Sequence, residues 1–139
     1  MIQTRSGGEV VFSRPPRIGC DLTDVNAVAE SIATFGDRYL RRVYSATERA
    51  QTGEVPERLA ARFAGKEAVL KVLRTTAGIR YSEIEIVLDS EGAPVVRLAP
   101  GAQQQAADQR LGEIAVSLSH ERGFALATAI ALPDDRPQH

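Results

Sequence analysis

Glu67 and Lys71 lie four positions apart in the middle of a helical sequence pattern, and a second lysine, Lys66, directly precedes the glutamate. Residues four apart on a helix are neighbours on its surface, so a carboxylate and an ammonium group would be presented together. Such pairs are common on solvated helices, where they add about 0.2–0.5 kcal/mol. The positions around Glu67 are small, however, at Ala64 and Ala68. They leave the carboxylate open to a bulky neighbour, either a ligand or a packed strand.

The helix that carries these groups is predicted over roughly residues 56–76, and it is expected to end near Ala77 and Gly78 because glycine is a natural C-terminal stop. Its apolar positions recur at helical spacings and form one stripe: Leu59, Phe63, Leu70 and Leu73. At about 100° per residue, Lys66 falls inside that stripe and Glu67 at its edge. An ordinary surface helix keeps its charges away from the core, so this helix is a candidate for a functional site.

Asp21 is the second candidate, and it lies in a predicted strand. Residues 17–25 alternate in type, which is typical of a half-buried strand. The side chains are expected to divide between its two faces: Ile18, Cys20 and Leu22 on one, and Gly19, Asp21 and Thr23 on the other. Asp is depleted in strands, and Gly19 allows another backbone or a ligand to approach closely. Asp21 is therefore either a capping or turn residue or a functional one, and Cys20 is expected to be a small core residue.

The third candidate region is the link of a predicted C-terminal hairpin. Its strands span residues 114–118 and 124–132, and residues 119–123 connect them. The link contains Ser119 and His120, and a histidine at such a place is either a polar turn residue or part of a site. The last strand alternates alanines with larger residues: Ala125, Ala127, Ala129 and Ala131 against Phe124, Leu126, Thr128 and Ile130. Because alanine side chains are small, this face implies that another element packs tightly against it. The long helix is the expected neighbour.

The elements between these regions are also predicted. Asp24 is placed to cap a helix over residues 25–35, which Gly36 ends. A basic segment follows at residues 37–50, and its arginines are either a solvated face or contacts for phosphate or an acidic partner: Arg38, Arg41, Arg42 and Arg49. A loop is expected at residues 51–55, a hairpin of strands 83–88 and 94–98, and a short helix or ordered loop at residues 100–112.

Composition excludes several classes of protein. The 139 residues suffice for one domain with a core, and 43% are hydrophobic and 25% charged. A formal net charge of −1 gives no reason to expect nucleic acid or an anionic membrane as partner. No apolar run approaches the roughly 18 residues of a membrane span, and no signal peptide is expected. A single cysteine excludes an internal disulfide. We expect a cytoplasmic protein, with residues 1–16 as an extension containing at most a short strand and the domain at residues 17–139.

Three stretches together resemble one family. They are Ile-Gly-Cys-Asp-Leu-Thr-Asp-Val at residues 18–25, Arg-Phe-Ala-Gly-Lys-Glu-Ala at residues 62–68 followed by Lys71, and Val-Ser-Leu-Ser-His at residues 116–120. In this order and spacing they resemble the holo-acyl-carrier-protein synthases, the small phosphopantetheinyl transferases of bacterial fatty-acid and polyketide systems. The resemblance covers residues 17–132.

The resemblance implies an α+β fold in which a long helix packs against a small antiparallel sheet. It also implies an activity, the transfer of 4′-phosphopantetheine from coenzyme A to a serine of an acyl carrier protein with release of adenosine 3′,5′-bisphosphate. Asp21 and Glu67 would be ligands of Mg²⁺, whose oxygen-only coordination suits a pyrophosphate. Lys71 would hold the pyrophosphate.

Further roles follow from the same resemblance. Lys66 would bind coenzyme A or support the site and its packing, while Ser119 and His120 would lie near the coenzyme A phosphates. Whether His120 acts as a base or as a hydrogen-bond donor stays open, because the serine proton could equally go to Glu67 or to a water on the metal.

The family also implies an assembly, a homotrimer with active sites between subunits, in which Asp21 of one chain meets the Glu67 region of a neighbour or the reverse. One departure concerns the helix after Asp21, which in the family usually carries basic residues that dock the acidic carrier protein. Here residues 26–34 contain Glu30 and no Lys or Arg. Alternatives are a trimeric module that binds a carrier protein or coenzyme A without transfer, and another metal-dependent enzyme on the same scaffold. The joint presence of Asp21, Glu67, Lys71 and His120 favours the transferase.

Overall fold

A central helix, α4 (Pro56–Leu73), organises the fold, which a computed structural model describes for residues 2–4, 10–12, 14–74 and 78–136. The helix begins with proline in its first turn and ends at Arg74, whose φ of 54° is left-handed. It is therefore shorter than predicted, and Ala77 lies outside the described residues. Its buried positions lie on most of its circumference, including Leu59, Ala64 and Val69. The predicted apolar stripe covered too little of the helix surface, because other elements enclose α4 and it does not lie on the surface of the protein.

A three-stranded antiparallel sheet covers one side of α4, in the order β3 (Arg17–Asp24), β7 (Phe124–Pro133) and β6 (Leu111–Glu121). The central strand β7 faces α4 with its alanines, whose exposed fractions are 0–1%: Ala125, Ala127, Ala129 and Ala131. The predicted packing of the long helix on this alanine face is confirmed. Small side chains let the helix backbone come close to the sheet.

Strand β3 is turned opposite to the expected orientation. Gly19 and Thr23 face inward, whereas Ile18 and Leu22 are 66% and 64% exposed. Cys20 is exposed as well, so its prediction as a core residue was wrong. The reason is steric, because a Cβ added to Gly19 would lie 2.1 Å from the carbonyl oxygen of Ala68 on α4.

The reversal of β3 leaves an apolar surface on the far side of the sheet. We call it the outer sheet face, and its exposed large residues come from β3 and β7: Ile18, Leu22, Phe124, Leu126, Ile130 and Leu132. A contiguous apolar surface of this kind on a small domain commonly marks an interaction site.

The connection between β3 and α4 is helical. Helix α1 (Val25–Phe35) starts at the Asp24 cap and ends at Gly36, as predicted. The basic segment that follows contains two short helices, α2 (Asp37–Val43) and α3 (Ala46–Thr52), so the expected loop starts later than predicted. A capping box explains the second start, because the Ser45 side chain accepts from the Glu48 backbone while the Glu48 side chain accepts from the Ser45 backbone.

The remaining elements complete the other side of α4. A short 3₁₀ turn (Tyr81–Glu83) leads into the hairpin of β4 (Ile84–Leu88) and β5 (Pro94–Leu98), and α5 (Pro100–Asp108) follows. The hairpin agrees with the prediction.

Near the N-terminus, β1 (Ile2–Thr4) pairs with β2 (Val10–Phe12), so the extension contains two short strands where at most one was expected. Within the described ranges, each helix is too short or too polar to cross a bilayer.

Candidate active site

Asp21 lies in the middle of β3 and faces α4. One of its carboxylate oxygens accepts a hydrogen bond from the Thr23 hydroxyl at 2.8 Å, and the other lies 3.5 Å from the Lys71 ammonium nitrogen. The Lys71 ammonium also donates to the Cys20 carbonyl oxygen at 2.7 Å. Since the Lys71 side chain is 53% exposed, an incoming ligand can reach it.

Glu67 lies one helical turn before Lys71, and the phenol of Tyr81 donates to its Oε1 at 2.5 Å. This hydrogen bond, followed by burial and by the charges of Glu67, Tyr39 and Asp21, raises the pKa of Tyr81 to about 12. We refer to Asp21, Thr23, Glu67, Lys71 and Tyr81 as the carboxylate site.

The carboxylate site is assembled within a single chain. The expectation that Asp21 of one subunit meets the Glu67 region of another was therefore wrong, because Gly19 lets β3 pack directly against the turn of α4 that carries Lys71. Sequence reasoning missed Tyr81 and Thr23. Thr23 could have been suspected from its place on the same strand face as Asp21, whereas no local pattern connects Tyr81 with Glu67.

The donor set of the carboxylate site fits Mg²⁺. This cation binds proteins through one or two carboxylates and keeps its other positions for water and substrate phosphates. Asp21 and Glu67 supply two carboxylates near an accessible lysine. In the described part of the chain, no group of three or more Asp, Glu, His or Cys residues forms a closed metal site. The pair suits a site that a phosphate ligand completes.

Lys66 does not belong to the carboxylate site. Its ammonium is fully buried and donates to Glu48 Oε1 at 2.8 Å, to the Tyr81 carbonyl at 3.2 Å and to the Ile84 carbonyl. Burial lowers the pKa of Lys66, and the charge of Glu48 opposes that shift. The position predicted for coenzyme A binding is therefore occupied by internal contacts, which correspond to the alternative role in packing.

His120 and Ser119 lie in β6 rather than in a turn. That strand continues to Glu121, and the hairpin link is only Arg122 and Gly123, with positive φ values of 52° and 83°. Two consecutive residues with positive φ are typical of a tight hairpin turn. The predicted five-residue link was wrong because the strand pairing persists to Glu121 opposite Phe124.

His120 opens onto a cavity of about 420 Å³, which we call the arginine cavity. Its lining combines α4 and β6 with the end of α3 and the end of the β4–β5 hairpin: Gln51, Arg58, Ala61, Arg62, Leu88, Gly92, Pro94, Val116, Ser117, Leu118, Ser119 and His120. The structure thus brings Ser119 and His120 together with two basic side chains that sequence reasoning had not assigned to the site.

Arg62 is the most informative of these basic residues. It is 6% exposed, and its Nε is the single buried side-chain nitrogen or oxygen without a hydrogen-bond partner among the described residues. Buried polar groups are normally paired, and a guanidinium suits a phosphate or carboxylate oxygen. Arg58 lies one turn away on the same face. The arginine cavity therefore has the chemistry of an anion site.

The carboxylate site and the arginine cavity lie on different flanks of α4. At about 100° per residue, Glu67 is roughly 140° around the helix from Arg62. One flank contacts β3 through Gly19, and the other contacts β6, where a Cβ added to Gly65 would lie 3.1 Å from Leu118. A larger groove of about 1240 Å³ between β5 and the sheet contains none of the predicted site residues.

Comparison with known proteins decides the family. Residues 17–129 match the family model of the 4′-phosphopantetheinyl transferase superfamily, which is more than half of the chain. The chain belongs to this superfamily. The holo-[acyl-carrier-protein] synthase of Chloroflexus aurantiacus is 40% identical, with 81% of this chain and 95% of the relative covered. The protein of the same name from Frankia casuarinae is 38% identical, with coverage of 82% and 94%.

Solved structures agree with the sequence relatives. The Helicobacter pylori holo-[acyl-carrier-protein] synthase in complex with coenzyme A has a TM-score of 0.75 and 25% identity, over 82% of this chain and 98% of that one. The Mycobacterium tuberculosis acyl carrier protein synthase has a TM-score of 0.66 and 31% identity, with coverage of 84% and 96%. The predicted family, the α+β fold and the enzyme class of phosphopantetheinyl transferase are confirmed.

The buried position of Lys66 gives a stability prediction. Lys66→Met should lower the free energy of unfolding by about 3–5 kcal/mol, because Glu48 would remain buried without its counter-charge. Lys71→Met is the matched control on the same helix, and loss of its exposed ion pair should cost less than about 1 kcal/mol. Urea unfolding at one fixed protein concentration measures both. Equal losses in the two variants would contradict the assignment of Lys66 to the core.

Proposed function

We propose that this protein transfers 4′-phosphopantetheine from coenzyme A to a serine of an acyl carrier protein in a Mg²⁺-dependent reaction. The observation that carries the proposal is the ion pair of Asp21 with Lys71 in one chain, one helical turn from Glu67 on α4. Relatives named for this activity support it, as does the Helicobacter pylori structure with coenzyme A. The serine oxygen forms a bond to the phosphorus that bears pantetheine, and the bond from that phosphorus to adenosine 3′,5′-bisphosphate breaks.

The residues of the carboxylate site have distinct tasks in this proposal. Asp21 and Glu67 hold Mg²⁺, which when bound neutralises charge on the pyrophosphate. Lys71 binds a pyrophosphate oxygen. Its exposed pair with Asp21 is worth at most about 1 kcal/mol, so a phosphate can replace that contact at low cost. Thr23 fixes one Asp21 oxygen through its hydroxyl and leaves the other directed towards Lys71.

The arginine cavity supplies a second phosphate contact in the proposed site. Coenzyme A carries a 3′-phosphate in addition to its pyrophosphate, and the buried Arg62 guanidinium with Arg58 and His120 suits that group. The serine proton passes to a base, for which Glu67 and His120 are the titratable candidates at the two sites.

A homotrimer would join the two sites into one. The carboxylate site and the arginine cavity lie on different flanks of α4, so the carboxylate site of one subunit can face the arginine cavity of the next. The exposed outer sheet face, with Ile18 at 66% and Leu22 at 64% exposure, supports assembly because a subunit contact would remove it from water.

The cation assignment is tested by removing one carboxylate charge at a time. Asp21→Asn and Glu67→Gln should each reduce transfer by more than about 100-fold, the upper end of the cost of losing an outer-shell partner of a metal. Both should fold normally, because their shapes are conserved. Mass spectrometry of an acyl carrier protein incubated with coenzyme A and Mg²⁺ reads out transfer.

Glu57→Gln, at an exposed position in the first turn of the same helix, is the control and should keep full activity. Undiminished transfer in excess EDTA, or by either site variant, would overturn the assignment. Absence of transfer by the unmodified protein would favour the non-catalytic alternative.

The carrier protein is proposed to dock near α2. Acyl carrier proteins are acidic, and positive side chains mainly set the rate and orientation of encounter. Asp37 pairs with Arg41 at 2.8 Å and with Arg49 at 2.7 Å. Among the described residues, no carboxylate forms an ion pair with Arg38 or Arg42, which leaves these two exposed cations available.

Charge reversal at Arg42 tests this docking surface. Arg42→Glu should raise the KM for carrier protein several-fold and leave the KM for coenzyme A unchanged, and the wild-type rate should fall with added salt because exposed charges are screened. Arg97→Glu makes the same charge change on β5, where Arg97 pairs with Glu85 at 3.8 Å, and should alter neither KM. A carrier KM that is unchanged in Arg42→Glu would mean that docking is apolar, through α1 residues such as Ile32.

A further inference from the structure

Tyr81 has the shortest hydrogen bond of the carboxylate site, and its position is fixed from two sides. Its phenol donates to Glu67 Oε1 at 2.5 Å, within the range of charge-assisted bonds from a hydroxyl to a carboxylate. Its ring packs against Phe63, which lies one helical turn before Glu67, with the ring centroids 5.2 Å apart. The hydroxyl and the ring therefore both contact the helix that carries Glu67.

The backbone of Tyr81 is held by the buried ion pair. The Lys66 ammonium donates to the Tyr81 carbonyl at 3.2 Å, and Glu48 holds that ammonium at 2.8 Å. Glu48 in turn accepts from the Ile86 backbone nitrogen at 2.9 Å. The Lys66–Glu48 pair therefore holds the turn that contains Tyr81 against the core. Breaking this pair would leave a buried charge without its partner, which is energetically costly.

A single donor orients Glu67. Within the described ranges, Tyr81 is the sole side chain that hydrogen-bonds to the Glu67 carboxylate. A glutamate on a helix has three freely rotating bonds before its carboxylate, and fixing one oxygen leaves the other in a defined direction. Hydrogen bonds of this type orient metal-ligating carboxylates, and their loss costs about 10–100-fold in metal affinity or activity.

We propose that Tyr81 is a positioning residue, which holds Glu67 in the orientation that binds a divalent cation. The proposal rests on the proposed function, since it assumes that Glu67 is a ligand. The buried Glu48–Lys66 pair then has an indirect role in the site, because it holds the Tyr81 backbone where the phenol can donate to Glu67. If the hydrogen bond from Tyr81 to Glu67 had no positioning role, removing the phenol hydroxyl would leave the affinity for the cation unchanged.

The test compares two variants, each of which lacks the hydroxyl of one tyrosine. Tyr81→Phe keeps the ring against Phe63 and removes the donor to Glu67. Tyr39→Phe is the matched control, because Tyr39 is also half-buried and its hydroxyl lies 3.3 Å from the Tyr44 hydroxyl instead. Binding of Mn²⁺ to the purified protein with saturating coenzyme A, but without carrier protein, is measured by electron paramagnetic resonance of the free ion, and coenzyme A alone gives the background.

Tyr81→Phe should weaken Mn²⁺ binding by about 10-fold, and Tyr39→Phe should leave it unchanged. In transfer assays, the Mg²⁺ concentration for half-maximal rate should rise by a similar factor, while the rate at saturating Mg²⁺ should recover to near the wild-type value. Wild-type Mn²⁺ affinity in Tyr81→Phe would overturn the proposal, as would an equal loss in both tyrosine variants.

Glu67→Gln separates this failure from failure of the proposed function. If Glu67→Gln abolishes Mn²⁺ binding and Tyr81→Phe does not change it, the cation assignment stands and the role of Tyr81 is refuted. If Glu67→Gln binds Mn²⁺ as the wild type does, Glu67 is not a ligand, and both the cation assignment and the role of Tyr81 are wrong.

Discussion

The close approach of α4 to the sheet is the constraint on which the rest of the structure depends. The helix backbone comes so near to β3 that a Cβ on Gly19 would lie 2.1 Å from the Ala68 carbonyl, and β7 presents only alanines to it. This contact excludes large side chains from the inner faces of β3 and β7. They are displaced to the outer face, where Ile18 and Leu22 stay exposed. The same contact brings Asp21 next to Lys71, so packing and site geometry have one cause.

The buried Glu48–Lys66 pair organises the opposite side of α4. Glu48 accepts from the start of α3 and from the β4 backbone, while Lys66 donates to Glu48 and to two carbonyls at the start of the hairpin. A buried pair of this kind gives little net stability compared with apolar packing, but breaking it is costly. Its value here is geometric. It fixes α3, β4 and the turn of Tyr81 relative to the helix that carries Glu67.

Local sequence signals predicted much of this fold. The Asp24 cap, the Gly36 stop, the β4–β5 hairpin and the alanine face each follow from a few adjacent residues. Alternation along β3 correctly grouped the side chains into two faces, but a period of two does not tell which face is inside. That choice depended on the distance between Gly19 and Ala68, which the sequence does not contain.

Contacts between distant residues were the part of the site that could not be predicted. Lys66 and Glu48 are 18 positions apart, and Tyr81 and Glu67 are 14 apart, so no helical or strand period connects them. Arg62 stood in the family-like motif, yet its burial depends on β6 and on the β4–β5 hairpin. The family resemblance supplied Asp21, Glu67, Lys71 and His120 as candidates. The structure divides them into three residues on one flank of α4 and a histidine on the other.

The central claim is that the carboxylate site of one subunit and the arginine cavity of the next act as one active site. Complementation tests it most directly. Glu67→Gln and His120→Ala chains, each weakly active alone, are co-expressed with different tags, and mixed assemblies are isolated and assayed for modification of an acyl carrier protein. Recovery towards about a third of the wild-type activity is expected, because one of the three interfaces in each mixed trimer combines an intact carboxylate site with an intact arginine cavity. Activity no higher than that of the separate variants would contradict the account, because it would place both halves of the site in one chain.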